Sequence, residues 1–168
     1  MAEARLYVLA QFDSGTNEAL AKIYDKLLNT GLTGEQTKGI PYHFTLGSFE
    51  LSETAQILER AKAVAARTKA FPIGLNHIGL FGQKVLFLTP AMNNQLLSLC
   101  RSIDPAATLD GVHNWIAHAT LLIDSPEHIC AALPIVAENF SPMTAVVHSL
   151  GVYEFFPKKL IAEFPLQK

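Results

Sequence analysis

Cysteine, positive charge and long apolar runs are all scarce in this 168-residue sequence. Its two cysteines, Cys100 and Cys130, form no Cys-x-x-Cys pair and no Cys/His cluster, which argues against a disulfide scaffold and a zinc site. The net charge of −2 offers no basic surface for long duplexes or anionic membranes. No stretch approaches the ~18 apolar residues of a membrane span, and the mixed-charge start with its short apolar run leads us to expect no secretion. The sequence contains no G-x-S-x-G nucleophile elbow. We therefore expect a reduced, cytoplasmic protein without a membrane partner.

Strands and helices alternate along a chain that is 49% hydrophobic. This length and composition predict one domain over residues 1–168, with two lobes. The first half reads as a strand (6–12), a helix capped by Ser14 or Thr16, a strand, a helix capped by Ser52, and a hairpin turning at Gly82 and Gln83. The second half reads as a helix (91–103), a strand (115–123), a helix that Pro134 should kink or end, and a closing hairpin near 157–159. Segment 84–90 is a candidate strand for both lobes.

Two histidines interrupt apolar, β-prone segments, and each has a threonine two places later. His43 and Thr45 lie in PYHFTLGSFE, and His118 and Thr120 lie in WIAHATLLID, 75 residues further on. Side chains alternate along a strand, so each His shares a face with its Thr. Burying an unpartnered imidazole costs about 1–3 kcal/mol, so each ring must find a hydrogen bond or face a cleft. A single motif fits a core histidine, whereas two motifs at matching places in the half-chains suggest an internal repeat with a shared site.

These paired His-x-Thr motifs, each followed by a helix, resemble those of the 2H phosphoesterase superfamily, which includes the 2′,5′ RNA ligase-like and 2′,3′-cyclic nucleotide phosphodiesterase families. The segments HIGLFGQKVLFLTP and VHSLGVYEFF also resemble strands of that superfamily. The resemblance covers nearly the whole chain. It implies an α+β, bilobal, pseudo-twofold fold in which two antiparallel sheets line a central cleft and helices lie outside. In one departure, Gly47 to Glu50 supply no basic residue after the first motif, which argues against RNA ligation.

The resemblance implies a catalytic role for His43 and His118 and phosphate binding by Thr45 and Thr120. An imidazole with its ordinary pKa near 6.5 serves as acid or base at neutral pH without large tuning. One ring would deprotonate water and the other would protonate the leaving ribose oxygen, with no metal and no cofactor. Each threonine hydroxyl would donate to a phosphate oxygen on which charge develops. The pseudo-symmetry leaves open which histidine is the acid.

Three further residues are candidates for base stacking or for the rim of the cleft. They are Phe12, His113 and Tyr153, although core packing is the preferred explanation for the two aromatics. Trp115 is expected in the core, on the strand face opposite His118.

The expected function is hydrolysis of a small 2′,3′-cyclic or 2′,5′-linked nucleotide or RNA terminus by a monomeric enzyme. Two alternatives remain open at this point. One is a nucleotide-binding module of the same fold with little or no turnover. The other is a non-catalytic interaction domain in which both histidines are structural, so that replacing them would destabilise the fold.

Overall fold

The computed structural model describes residues 4–34, 39–91, 93–107, 115–155 and 158–168. Within these ranges the chain forms four α-helices and seven strands. In chain order they are β1 (Arg5–Phe12), α1 (Ser14–Leu28), β2 (His43–Phe49), a 3₁₀ turn (Leu51–Glu53), α2 (Thr54–Ala65), β3 (Phe71–Phe81), β4 (Val85–Pro90), α3 (Asn94–Ile103), β5 (Ala119–Ile123), α4 (Pro126–Asn139), β6 (Met143–Phe155) and β7 (Lys159–Pro165).

The strands form an antiparallel sheet in the order β2-β1-β6-β3-β4-β5, with β7 also paired to β6. The predicted α+β class is confirmed, and the long strand β6 joins the two predicted sheets. One edge of β6 pairs with β1, while the other edge pairs first with β3 and then with β7. Strand β4 pairs with β3 and β5 within one lobe, so the expectation that segment 84–90 serves both lobes is wrong. Strand β6 has that role.

When the chain is divided between β3 and β4, the strands of its two halves are interleaved in the sheet. Strand β3, from the first half, pairs with β4 of the second half, and β6, from the second half, pairs with β1 of the first. The helices follow the same pattern, because α1 contacts α4 and α2 contacts α3. Each lobe is therefore built from both halves of the chain, which couples the positions of the two motifs.

The helices cover one face of the sheet and leave the other face for the cleft. Along β1, the residues Val8, Ala10 and Phe12 are buried in the core with Phe44 of β2. Phe12 is only 2% exposed and packs edge-to-face on Phe44, with ring centroids 4.9 Å apart. Burying such a side chain contributes about 1.5–3 kcal/mol to folding. Phe12 is thus a core residue, as the preferred explanation held, and its alternative role at the cleft rim is wrong.

Helix ends differ in detail from the sequence-based expectations. Asp13, and neither Ser14 nor Thr16, caps α1 by accepting a hydrogen bond from the Thr16 backbone N–H. A carboxylate at this position also favours the positive end of the helix dipole. The segment around Ser52 forms the 3₁₀ turn that precedes α2, so Ser52 does not cap that helix. Helix α4 continues through Pro134 to Asn139, so this proline does not end it. No helix within the described ranges is long and apolar enough to cross a membrane.

Candidate active site

The two terminal strands of the sheet, β2 and β5, come into contact although they are not paired. A cleft of about 290 Å³ lies beside them, and His43, Thr45, His118 and Thr120 all line it. Two segments that are 75 residues apart in the sequence therefore place their imidazoles and hydroxyls in one hollow. Tyr7 and Leu9 of β1 also line the cleft.

Each histidine stands where its strand begins, and not in the middle of the strand as the sequence suggested. His43 is the first residue of β2, and His118 immediately precedes β5. Because the strand has not yet begun two residues before each histidine, the backbone carbonyl at that position is not paired with another strand and lies near the imidazole. The Nδ1 atom of His43 lies 2.8 Å from the Pro41 carbonyl oxygen, and that of His118 lies 2.7 Å from the Ile116 carbonyl oxygen.

The same hydrogen bond sets the tautomer of both rings. A carbonyl oxygen only accepts, so the Nδ1 atom of each imidazole carries the proton and donates it. The Nε2 atom of each neutral ring then keeps its lone pair. The hydrogen bond to the carbonyl uses only Nδ1. The Nε2 atom of each ring therefore stays able to accept a proton, as a general base requires.

Burial shifts the pKa of both imidazoles downward. It lowers the pKa of His43 to about 4, with a smaller contribution from repulsion by His118 and an opposing one from the Pro41 hydrogen bond. Burial also lowers the pKa of His118, against the hydrogen bond to Ile116. Neither ring therefore keeps its ordinary value, contrary to the expectation of little tuning. A phosphate held between the rings would raise both pKa values by opposite-charge attraction.

Aromatic rings distinguish the surroundings of His118 from those of His43. The His118 ring packs edge-to-face with Phe81, at a centroid distance of 4.7 Å, and lies 5.3 Å from the ring centroid of Phe87. The Phe87 ring in turn lies across Gly79, where a Cβ atom would come within 2.3 Å of it. A glycine is needed at this position for the aromatic ring to reach the histidine.

The structure replaces the predicted aromatic candidates with two others. Tyr153 does not line the cleft, because it is 7% exposed and its hydroxyl accepts a hydrogen bond from the Gln11 side chain at 3.1 Å. Tyr7 and Phe155 line the cleft, with their rings edge-to-face at 5.0 Å. Side-chain alternation along β1 groups Tyr7 with Leu9, but it does not show that their face opens onto the cleft. His113 lies outside the described residues.

No group of three or more His, Cys, Asp or Glu side chains within the described ranges is arranged to hold a metal ion.

Comparison with protein families identifies the fold that carries this cleft. The profile of the 2′-5′ RNA ligase superfamily matches residues 17–155, which include both His-x-Thr motifs. The chain belongs to the 2′-5′ RNA ligase superfamily. The resemblance to the 2H phosphoesterases that the motifs suggested is thereby confirmed.

Solved structures of similar fold agree with membership of the 2′-5′ RNA ligase superfamily. TT0787 of Thermus thermophilus matches with a TM-score of 0.62 and 16% identity, covering 97% of this chain and 98% of that one. Apo LigT of E. coli matches with a TM-score of 0.58 and 15% identity, covering 99% of this chain and 100% of LigT. LigT complexed with 3′-AMP gives a TM-score of 0.60 at 16% identity, with the same coverage. At these identities the similarity concerns the fold alone. A search among curated proteins gives no sequence match.

Proposed function

We propose that this protein is a metal-independent phosphodiesterase that hydrolyses a small 2′,3′-cyclic or 2′,5′-linked nucleotide or RNA terminus. The observation that carries the proposal is the meeting of His43, Thr45, His118 and Thr120 in one cleft. Two acid-base groups on separate lobes suit an in-line displacement, in which the attacking and leaving oxygens lie on opposite sides of phosphorus.

The reaction needs one proton acceptor and one proton donor. A neutral imidazole takes a proton from water through Nε2 as the water oxygen bonds to phosphorus. The bond from phosphorus to a ribose oxygen then breaks, and the second imidazole, protonated next to the phosphate, gives its proton to that oxygen. Hydroxyl groups of Thr45 and Thr120 donate to the other phosphate oxygens, where the negative charge increases in the transition state.

The size and lining of the cleft favour a small nucleotide. A volume of about 290 Å³ lies just below the usual range for small-molecule sites, roughly 300–1,000 Å³. The rings of Tyr7 and Phe155 offer an aromatic wall on which a base can stack, a contact worth about 1–3 kcal/mol. LigT of E. coli, which shares the fold, has been crystallised with 3′-AMP and with phosphate.

A second candidate function is nucleotide binding without turnover. It is favoured by the low pKa of His43, about 4, because a ring that resists protonation is a poor general acid unless the substrate raises its pKa. In this case the Thr45 and Thr120 hydroxyls would donate to a phosphate group, and an imidazole would donate from Nε2 only after the bound anion has raised its pKa and the ring has been protonated.

Incubation with 2′,3′-cyclic AMP in EDTA distinguishes the two candidates. The phosphodiesterase produces an adenosine monophosphate, and both His43→Ala and His118→Ala abolish the product. The control is His77→Ala, which replaces an exposed histidine of β3 and should keep wild-type turnover. Saturable binding without product would instead support the binding module. Equal turnover in the wild type and both cleft variants would refute a catalytic role for these histidines.

A further inference from the structure

The four residues 115–118, immediately before β5, carry His118 but belong to no strand. Two side-chain hydrogen bonds hold this segment. On its own lobe, the Thr89 hydroxyl of β4 donates to the Ala117 carbonyl oxygen at 2.6 Å. Across the lobes, the indole Nε1–H of Trp115 donates to the Thr45 carbonyl oxygen of β2 at 2.9 Å.

The Trp115–Thr45 hydrogen bond joins the two motifs at positions close to both imidazoles. Trp115 lies three residues before His118, and Thr45 lies two residues after His43. Strands β2 and β5 are the terminal strands of the sheet, and no ladder of backbone hydrogen bonds sets the distance between them. In a closed sheet, backbone hydrogen bonds between β2 and β5 would fix their separation; here the hydrogen bond from the Trp115 indole to the Thr45 carbonyl has that role.

The indole ring is also well anchored for this purpose. Trp115 is half-buried and packs against the hydrophobic core. A flat, two-torsion side chain anchored in this way holds its N–H donor in one place at low entropic cost. A change of about 1 Å in the positions of reacting groups can cost a hundredfold in rate, so such an anchor matters to a reaction shared by two lobes.

We infer that Trp115 is a positioning residue that sets the distance between His43 and His118 by holding its indole N–H on the Thr45 carbonyl. The inference rests on the proposed function only for its effect on rate. The geometric part, that the bond keeps the two lobes together at the cleft, holds for a binding module as well.

Trp115→Phe tests the inference, because it keeps an aromatic ring in the core and removes the N–H donor. Phe140→Leu is the matched control, since Phe140 is another half-buried aromatic packed on the core, at the end of α4. With 2′,3′-cyclic AMP we expect kcat to fall about tenfold or more in Trp115→Phe, with a smaller change in KM. Phe140→Leu should keep the wild-type kcat. An unchanged kcat in Trp115→Phe, in an enzyme that turns over, would overturn the inference.

A titration of the histidines by NMR needs no turnover and separates this inference from the proposed function. If the cleft opens in Trp115→Phe, water reaches His43, His118 moves away, and the His43 pKa rises towards 6.5. Unchanged pKa values for both rings would overturn the inference even if the wild type has no activity.

Should Trp115→Phe fail to fold, the wild type supplies the measurement. The chain has one tryptophan, so its indole N–H gives one NMR signal. Slow hydrogen exchange at this signal supports the bond, and exchange at the rate of a free indole refutes it.

Discussion

The low pKa of His43 makes the stability of this protein depend on pH in a defined window. In the unfolded chain this imidazole titrates near 6.5, whereas in the folded protein its pKa is lowered to about 4. Between these values the unfolded chain binds a proton that the folded chain does not. The free energy of unfolding therefore falls as the pH drops from about 6.5 to about 4 and levels off below. At neutral pH the ring is unprotonated in both the folded and the unfolded chain, so this loss of stability is absent.

The size of this loss follows from the difference between the two pKa values. A difference of about 2.5 pH units corresponds to at most roughly 3 kcal/mol. The His43 ring keeps partial access to the cleft, so solvent screening reduces the expected loss to about 1–2 kcal/mol. Burial also lowers the pKa of His118, which adds a loss of the same sign.

His43→Asn removes the titrating ring, while its side-chain amide can still donate to the Pro41 carbonyl. Urea unfolding followed by circular dichroism at pH 7.5 and pH 4.5 measures the effect. We expect the wild type to lose about 1–2 kcal/mol more stability between these pH values than His43→Asn does. The control His77→Asn, at an exposed position, should behave as the wild type. Equal losses in the wild type and His43→Asn would refute the argument that burial lowers this pKa.

The remaining predictions concern phosphate binding, the threonines and a glycine. Binding of sulfate, a phosphate analogue whose charge is constant between pH 6 and pH 8, should weaken by up to about tenfold per pH unit over this range in calorimetry. The bound anion raises the imidazole pKa values, so a ring takes up a proton on binding; a constant affinity contradicts this. Thr45→Val and Thr120→Val should each lower kcat about 10–100-fold without changing the urea midpoint, and loss of stability alone contradicts their role. Gly151→Ala should lower the free energy of unfolding, measured in urea, by about 1–3 kcal/mol. The new Cβ would lie 2.8 Å from the Gln11 side chain and 2.7 Å from the Tyr153 ring, so unchanged stability contradicts the close packing.

Much of the fold and the central part of the site can be predicted from local pattern. Helices α1 to α4 follow from apolar spacing and polar first turns, and the hairpin between β3 and β4 follows from Gly82, which has a φ of 54° in the turn. The roles expected for His43 and His118 depended on two motifs in matching places of two half-chains. The structure places both rings in one cleft, which is the spatial condition that those roles require.

Residue periodicity alone does not show which strand face opens onto the cleft. Tyr7 and Phe12 lie on opposite faces of β1, and only the packing of the helices decides that Phe12 is in the core while Tyr7 lines the cleft. Tyr153 and Phe155 share a face of β6, but only Phe155 lines the cleft. The Tyr153 ring packs against Gly151, which has no side chain, and its hydroxyl accepts a hydrogen bond from the Gln11 side chain. Such differences depend on residues distant in the sequence.

The sequence by itself determined the two His-x-Thr motifs, the helices and the first hairpin, because these depend on residues that are near one another in the chain. The family and the α+β class followed from the resemblance that those motifs and their flanking segments carry. Only the tertiary structure decided the pKa values of the imidazoles, the aromatic lining and the bond from Trp115 to Thr45. Each of these depends on desolvation or on contacts between the two halves. Each lobe contains strands from both halves of the chain, so these contacts join residues that are distant in the sequence.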